Sequence, residues 1–211
     1  MYRRTTEGFL DLNGGMLTPS MLYERLQSDP RFERFIIQQR LRNHPDLIRL
    51  SGTDTLQTIR FVTWISGDSV EVLASQLRIV VGGNLVDNFG SGRTGNLIAN
   101  VGWSDGLLAD AMAVRDMEMK IISTHPTTGF RIRGFRLPHW QAARELVLRA
   151  ARLFLPLRTI GWDVAIASDG PILMEGNAFW DPSNEMLTGP QVSPSPQIKL
   201  LRLMKQFKVG H

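Results

Sequence analysis

The chain has 211 residues, 43% hydrophobic and 21% charged, with a formal net charge of +4. These proportions suit one sizeable globular domain or two small ones and exclude disordered and collagen-like chains. The absence of cysteine excludes disulfides, thiolate nucleophiles and Cys-bound zinc. Four scattered histidines, His44, His125, His139 and His211, exclude a His-rich centre, so a divalent metal must find oxygen donors, which suits Mg2+ or Mn2+. No apolar run reaches the roughly 18–20 residues of a membrane span, and no apolar segment follows Arg3-Arg4 as in a secretory leader; the expected compartment is the cytoplasm. The basic residues comprise 20 Arg and 4 Lys, with no Lys before Lys120. The arginines are spread along the chain rather than clustered, which argues against a nucleic-acid surface.

In chain order, residues 1–30 read as a lead-in: turn chemistry at Asn13-Gly14-Gly15, then a short capped helix after Thr18-Pro19-Ser20. Residues Phe35 to Gln39 read as a short buried strand closed by Asn43-His44-Pro45. Thr55 to Ile65 and Ser69 to Val81, rich in Val, Ile, Thr and Phe and separated by Ser66-Gly67-Asp68, predict a hairpin. Residues 90–137 predict loops and short strands. A helix is expected from Pro138 to Pro156, with Ala143, Val147, Ala150 and Phe154 among its apolar positions and Arg144, Glu145, Arg149 and Arg152 opposite. A second hairpin runs from Thr159 to Ile166, through Ser168-Asp169-Gly170, to Glu175. After Ser193-Pro194-Ser195-Pro196 comes an amphipathic tail helix, Ile198 to Phe207.

The second hairpin carries the chemistry. A three-residue turn at Ser168, Asp169 and Gly170 would set Asp163 opposite Glu175, whereas a two-residue turn would make them diagonal and change the parity. Asn177 shares the face of Glu175 while the strand persists. Two facing carboxylates cost up to about 1 kcal/mol, and a hard divalent cation would relieve them while accepting the amide oxygen as a further ligand. Spacing alone leaves open that Asp163 caps a turn and that Glu175-Gly176-Asn177 is an ordinary strand exit. In the first hairpin a three-residue turn, Ser66 to Asp68, would put even-numbered residues of both strands on one face. Arg60 and Arg78 would then point into one cleft, as phosphate- or carboxylate-binding guanidiniums.

The run Gly161-Trp162-Asp163-Val164-Ala165-Ile166, followed by Asp169-Gly170-Pro171-Ile172-Leu173-Met174-Glu175-Gly176-Asn177, resembles the metal-binding end of ATP-grasp proteins, most closely the sugar-transfer-associated family. Further blocks agree in order: Gln39-x-Leu41-x-Asn43-His44-Pro45, Thr58-x-Arg60-x-Val62-Thr63, Leu77-Arg78, Asp87-Asn88-Phe89 and His125-Pro126-x-Thr128-Gly129. The resemblance spans about residues 35–180. It implies an α+β fold, an antiparallel sheet with packed helices, corresponding mainly to the second ATP-grasp lobe. It implies that Asp163, Glu175 and Asn177 hold Mg2+ against ATP phosphates, and that Ile36 to Leu41 links the lobes beside the adenine, with Gln38, Gln39 and Leu41 as cofactor-binding residues. Arg60 and Arg78 would be catalytic, stabilising an acyl-phosphate and the oxyanion formed on it. His125 would contact the acceptor substrate or hydrogen-bond locally, and Asp87-Asn88 is open between a role and turn chemistry.

The expected organisation is a lead-in or first-lobe remnant at residues 1–34, the second lobe at 35–190, and a linker and tail helix at 191–211. The phosphate-gripping lysines and glycine-rich cover of a first lobe are largely missing, with Asn13-Gly14-Gly15 as a candidate remnant. Three explanations stand: a fragment of a longer protein, a lobe supplied by a partner or second copy, or lost catalysis. D-alanine ligases, in the same superfamily, place an arginine two residues before the metal aspartate; here that position is Gly161, so Arg60 and Arg78 would have to supply its charge. The expected activity is an ATP- and Mg2+-dependent ligase joining a small-molecule carboxylate to an amine or thiol in surface-polysaccharide synthesis. The alternative is a non-catalytic nucleotide-binding or scaffold module.

Overall fold

The computed structural model describes residues 2–11, 13–35, 38–115 and 118–181. The chain divides into two compact units, Met1–Arg40 and Leu41–His211.

In the first unit, β1 (Arg3–Arg4), β2 (Phe9–Leu10) and β3 (Met16–Leu17) form a small antiparallel sheet in that order. Helix α1 (Pro19–Gln27) follows. Thr18 caps it by accepting a hydrogen bond from the Met21 N–H at 3.2 Å, and Pro19 occupies the first turn, as the sequence predicts. The strand expected at Phe35 to Gln39 is not formed among its described residues. Phe35, Gln38 and Gln39 are exposed and unpaired by any ladder, while Ile36 and Ile37 lie outside the described residues.

The second unit opens with a helix the sequence reading did not anticipate, α2 (Pro45–Ser51). His44 is its cap, with Nδ1 accepting from the Asp46 N–H at 3.2 Å; Pro45 starts it, and Gly52 ends it at φ 76°. Asn43-His44-Pro45 therefore begins a helix rather than closing a strand. Leu47 and Leu50 are fully buried, which is what holds so short a helix in place.

Seven antiparallel strands build the main sheet: β4 (Thr58–Ser66), β5 (Ser69–Ile79), β6 (Leu97–Val101), β7 (Leu108–Arg115), β8 (Glu118–Ile122), β9 (Thr159–Ala167) and β10 (Gly170–Asn177). Their order is β10-β9-β4-β5-β6-β7-β8. Helix α3 (Trp140–Leu153) covers one face. It starts two residues after Pro138, because His139 takes a left-handed conformation, φ 53°, at the cap. Its buried Ala143, Val147 and Ala150 belong to one core cluster with Ile59, Phe61, Leu77, Trp162 and Val164, and Trp140 stacks on Phe61 at 5.4 Å. The linker and tail helix expected beyond residue 190 lie outside the described residues.

Both predicted hairpins form, but with tighter turns than expected. Ser66 pairs with Ser69 across Gly67-Asp68, and Ala167 pairs with Gly170 across Ser168-Asp169. A two-residue turn alone would reverse the parity required for the site. In each hairpin one bulged residue restores it. Leu73 is passed over between Val72↔Thr63 and Ala74↔Val62, and Met174 between Leu173↔Val164 and Glu175↔Asp163. Beyond the bulges, Arg60, Thr58, Gln76 and Arg78 share the face turned away from α3.

Candidate functional site

Register places five polar residues in one line across that face. Glu175 on β10 opposes Asp163 on β9, Asp163 opposes Arg60 on β4, Arg60 opposes Gln76 on β5, and Gln76 opposes Asn100 on β6. Asn177 follows Glu175 on the same face and donates its Nδ2–H to Glu175 Oε1 at 3.0 Å. Gln76 donates to Asn100 Oδ1 at 3.1 Å. The three residues expected as metal ligands and the two expected as catalytic arginines thus come together on one patch.

Both guanidiniums converge on Asp163. Arg60 Nε lies 2.8 Å from Oδ1 but without hydrogen-bond alignment, and Arg60 Nη2 donates to Oδ2 at 3.3 Å. Arg78 Nη1 donates to the same Oδ2 at 3.2 Å. Asp163 and Arg78 are nearly fully buried. Two carboxyls therefore face two guanidiniums. The charge that spacing alone assigned to a metal is already offset by side chains.

Thr58 and Asp87, the second left open between a role and turn chemistry by the sequence, hold Arg78. Its Nη1 also donates to Thr58 Oγ1 at 3.2 Å. Thr58 in turn gives its N–H and hydroxyl to Asp87 Oδ2, at 2.7 and 2.6 Å. The signal was present in the sequence: Thr58 shares strand parity with Arg60, and Asp87 sits in one of the resembling blocks. Gly161 has its own function. A Cβ built there would come within 2.8 Å of both Arg60 Nη1 and Trp180 Cβ. The bare backbone at Gly161 leaves room for the Arg60 guanidinium to lie over β9.

Burial pushes the Asp163 carboxyl above its ordinary value, against the pull of Arg78 and Arg60. The Asn177 amide, and after it Asp163, hold the exposed Glu175 below its ordinary value. The two carboxyls lie within hydrogen-bonding reach of each other.

The donor set fits a hard divalent cation. Asp163 Oδ1, 2.8 Å from Arg60 Nε, has no aligned hydrogen-bond donor, Glu175 is solvent-facing, and the Asn177 side-chain oxygen is a third donor of the same hard type.

Gln38 and Gln39 belong to the first unit and are exposed; Leu41 begins the second and is half-buried. His125 is buried, with Nε2 2.9 Å from the Val80 carbonyl and Nδ1 accepting from the Thr127 and Thr128 N–H groups at 3.3 Å. Of the two readings offered by sequence, the local hydrogen-bonding one describes its contacts. At Asn13-Gly14-Gly15 the Asp11 carboxylate accepts from the Asn13 and Gly15 N–H groups at 2.9 and 2.8 Å. Donors that could cradle a phosphate are engaged within the turn.

The helix-backed antiparallel sheet, with its acidic strand beside a Glu-x-Asn strand, is an α+β fold of the ATP-grasp class. More narrowly, the chain belongs to the sugar-transfer associated ATP-grasp family, whose model matches residues 20–198. No curated protein and no solved structure gives a match. Among the described residues no helix is long and apolar enough to cross a membrane.

Proposed function

We propose that this chain supplies the metal- and phosphate-binding lobe of an ATP- and Mg2+-dependent ligase that joins a small carboxylate to an amine or thiol. The observation that carries this reading is the Glu175–Asp163–Arg60 line across three adjacent strands, with Arg78 on the same carboxylate. Members of the family class generally bind ATP and Mg2+, and the family's name associates it with sugar transfer. Surface-polysaccharide modification is the setting this supports.

In the proposed reaction a carboxylate oxygen of the substrate attacks the γ-phosphorus, and the bond to ADP breaks. The nucleophile then attacks the acyl carbon, loses its proton, and phosphate leaves with the electrons of the C–O bond. Asp163, Glu175 and Asn177 would hold Mg2+, which screens the transferring phosphoryl charge. Arg60 and Arg78 hold phosphate or acyl-phosphate oxygens, Asp163 orients both guanidiniums, and the Asp87–Thr58 pair keeps Arg78 from turning away. Gln38, Gln39 and Leu41 are the proposed adenine contacts, and a further segment of a longer protein, a partner or a second copy is the proposed source of further phosphate ligands.

A second reading, a nucleotide-binding module without catalysis, is favoured by the engaged N–H groups around Asp11. Isothermal titration with ATP and Mg2+, paired with an ADP-release assay over carboxylate and amine mixtures, separates the two. ADP release abolished by Glu175→Gln supports the ligase. Binding heat that Glu175→Gln removes, without ADP release, supports the module. Heat unaffected by Glu175→Gln overturns both.

A further inference from the structure

We propose that the segment joining α3 to β9 is a docking surface for an anionic phospholipid bilayer. Five apolar residues, Leu153-Phe154-Leu155-Pro156-Leu157, follow one another from the last residue of α3 into that segment, and all are exposed. Leu153 is 77% exposed, Phe154 50%, Leu155 59% and Leu157 43%. An unbroken run of exposed large apolar side chains marks an interaction site rather than a random surface.

The run stands on a fixed base. The Phe154 ring meets buried Trp162 edge-on at 5.4 Å, the Leu157 N–H donates to the Phe154 carbonyl at 3.0 Å, and the Arg158 carbonyl accepts from Ile65 on β4 at 2.8 Å. The side chains are therefore presented by a closed turn tied to the sheet.

Charge selects the occupant. Exposed Arg149, Arg152 and Arg158 flank the run, and residues 146–162 contain no Asp or Glu. Among the described residues none of the three arginines forms an ion pair. A second copy docked patch to patch would oppose these arginines with their own equivalents. The chain's own tail is no better matched: residues 186–211 carry Lys199, Arg202, Lys205 and Lys208 and no acid. An anionic bilayer satisfies both parts of the surface, with hydrocarbon for Leu and Phe and headgroup phosphates for Arg. The contact lies on the membrane and does not span it.

The test is co-sedimentation of the full chain with vesicles of phosphatidylcholine alone and of equal parts phosphatidylcholine and phosphatidylglycerol. The mixed vesicles are expected to bind the chain, salt to weaken that binding, and neutral vesicles to bind at least about tenfold less. The doubly substituted Leu153→Ser/Leu155→Ser chain, which leaves Phe154 on Trp162, is expected to lose binding about tenfold or more. Near-ultraviolet circular dichroism of the tryptophans checks that it remains folded. Equal binding to both vesicle types overturns the proposal. So does unchanged binding by the double variant, loss that follows Leu203→Ser in the tail instead, or a concentration-dependent dimer that the double variant dissolves.

Discussion

Glu175 faces Asp163 across β10 and β9 because Met174 is left unpaired between Leu173 and Glu175. With the two-residue turn at Ser168-Asp169 and no bulge, Met174 would oppose Asp163 and the Glu175 carboxylate would turn into the core beneath α3. The bulge is thus a condition of the site, and the equivalent irregularity at Leu73 performs the same service for Arg78 on β5.

Removing one carboxylate should have different consequences from removing the other. Asp163→Asn leaves the largely buried Arg60 and Arg78 without their counter-charge and should destabilise the fold by about 3 kcal/mol. Glu175→Gln, at an exposed position, should change stability by less than about 0.5 kcal/mol while abolishing Mg2+-dependent nucleotide binding. Urea unfolding and calorimetric titration of both variants check the contrast.

The Asp87–Thr58 pair predicts a softer effect. Thr58→Val removes the hydroxyl between Arg78 and Asp87, so the guanidinium should be less restrained. Nucleotide affinity should fall roughly tenfold, about 1.4 kcal/mol, with only part of that loss for Asp87→Asn, which keeps an acceptor oxygen. Titration with ATP and Mg2+ reads both; undiminished affinity in Thr58→Val would remove this pair from the site.

Gly161→Ala tests whether the space over β9 belongs to Arg60. The new methyl meets Arg60 Nη1 and Trp180 Cβ at 2.8 Å, so either the arginine or the tryptophan must move. A loss of about 1–3 kcal/mol in stability is expected, together with weaker nucleotide binding. Thermal unfolding and titration measure the two.

His125 predicts an acid limit on stability. Burial lowers its pKa below the ordinary 6.5, with the Val80 carbonyl opposing. The folded state therefore binds this proton less readily than the unfolded chain. The stabilisation is complete above the ordinary value and declines as pH falls below it. Protonation also takes Nδ1 away from the Thr127 and Thr128 N–H groups. Urea midpoints below pH 6.5 should fall in the native chain and vary less in His125→Asn; parallel curves would contradict the assignment.

The sequence by itself determined the local elements whose signals are local. Thr18 and Pro19 announced α1, the Val- and Ile-rich runs around Gly67-Asp68 and Ser168-Asp169 announced the two hairpins, and the 3.6-residue apolar spacing announced α3. It also determined the chemistry on offer: no thiols, oxygen donors at Asp163, Glu175 and Asn177, and arginines at Arg60 and Arg78. Helix α2 escaped notice because seven residues give too little periodicity, and only the burial of Leu47 and Leu50 stabilises it. Tertiary structure alone decided the rest. Turn length and bulge position set strand parity, and neither Leu73 nor Met174 carries a residue type that marks a bulge. Side-by-side packing of β4 between β5 and β9 brought Arg60, 103 positions away in sequence, onto Asp163. That pairing turned an expected excess of negative charge into a balanced cluster, because electrostatics depends on distance in space and the sequence states only distance along the chain.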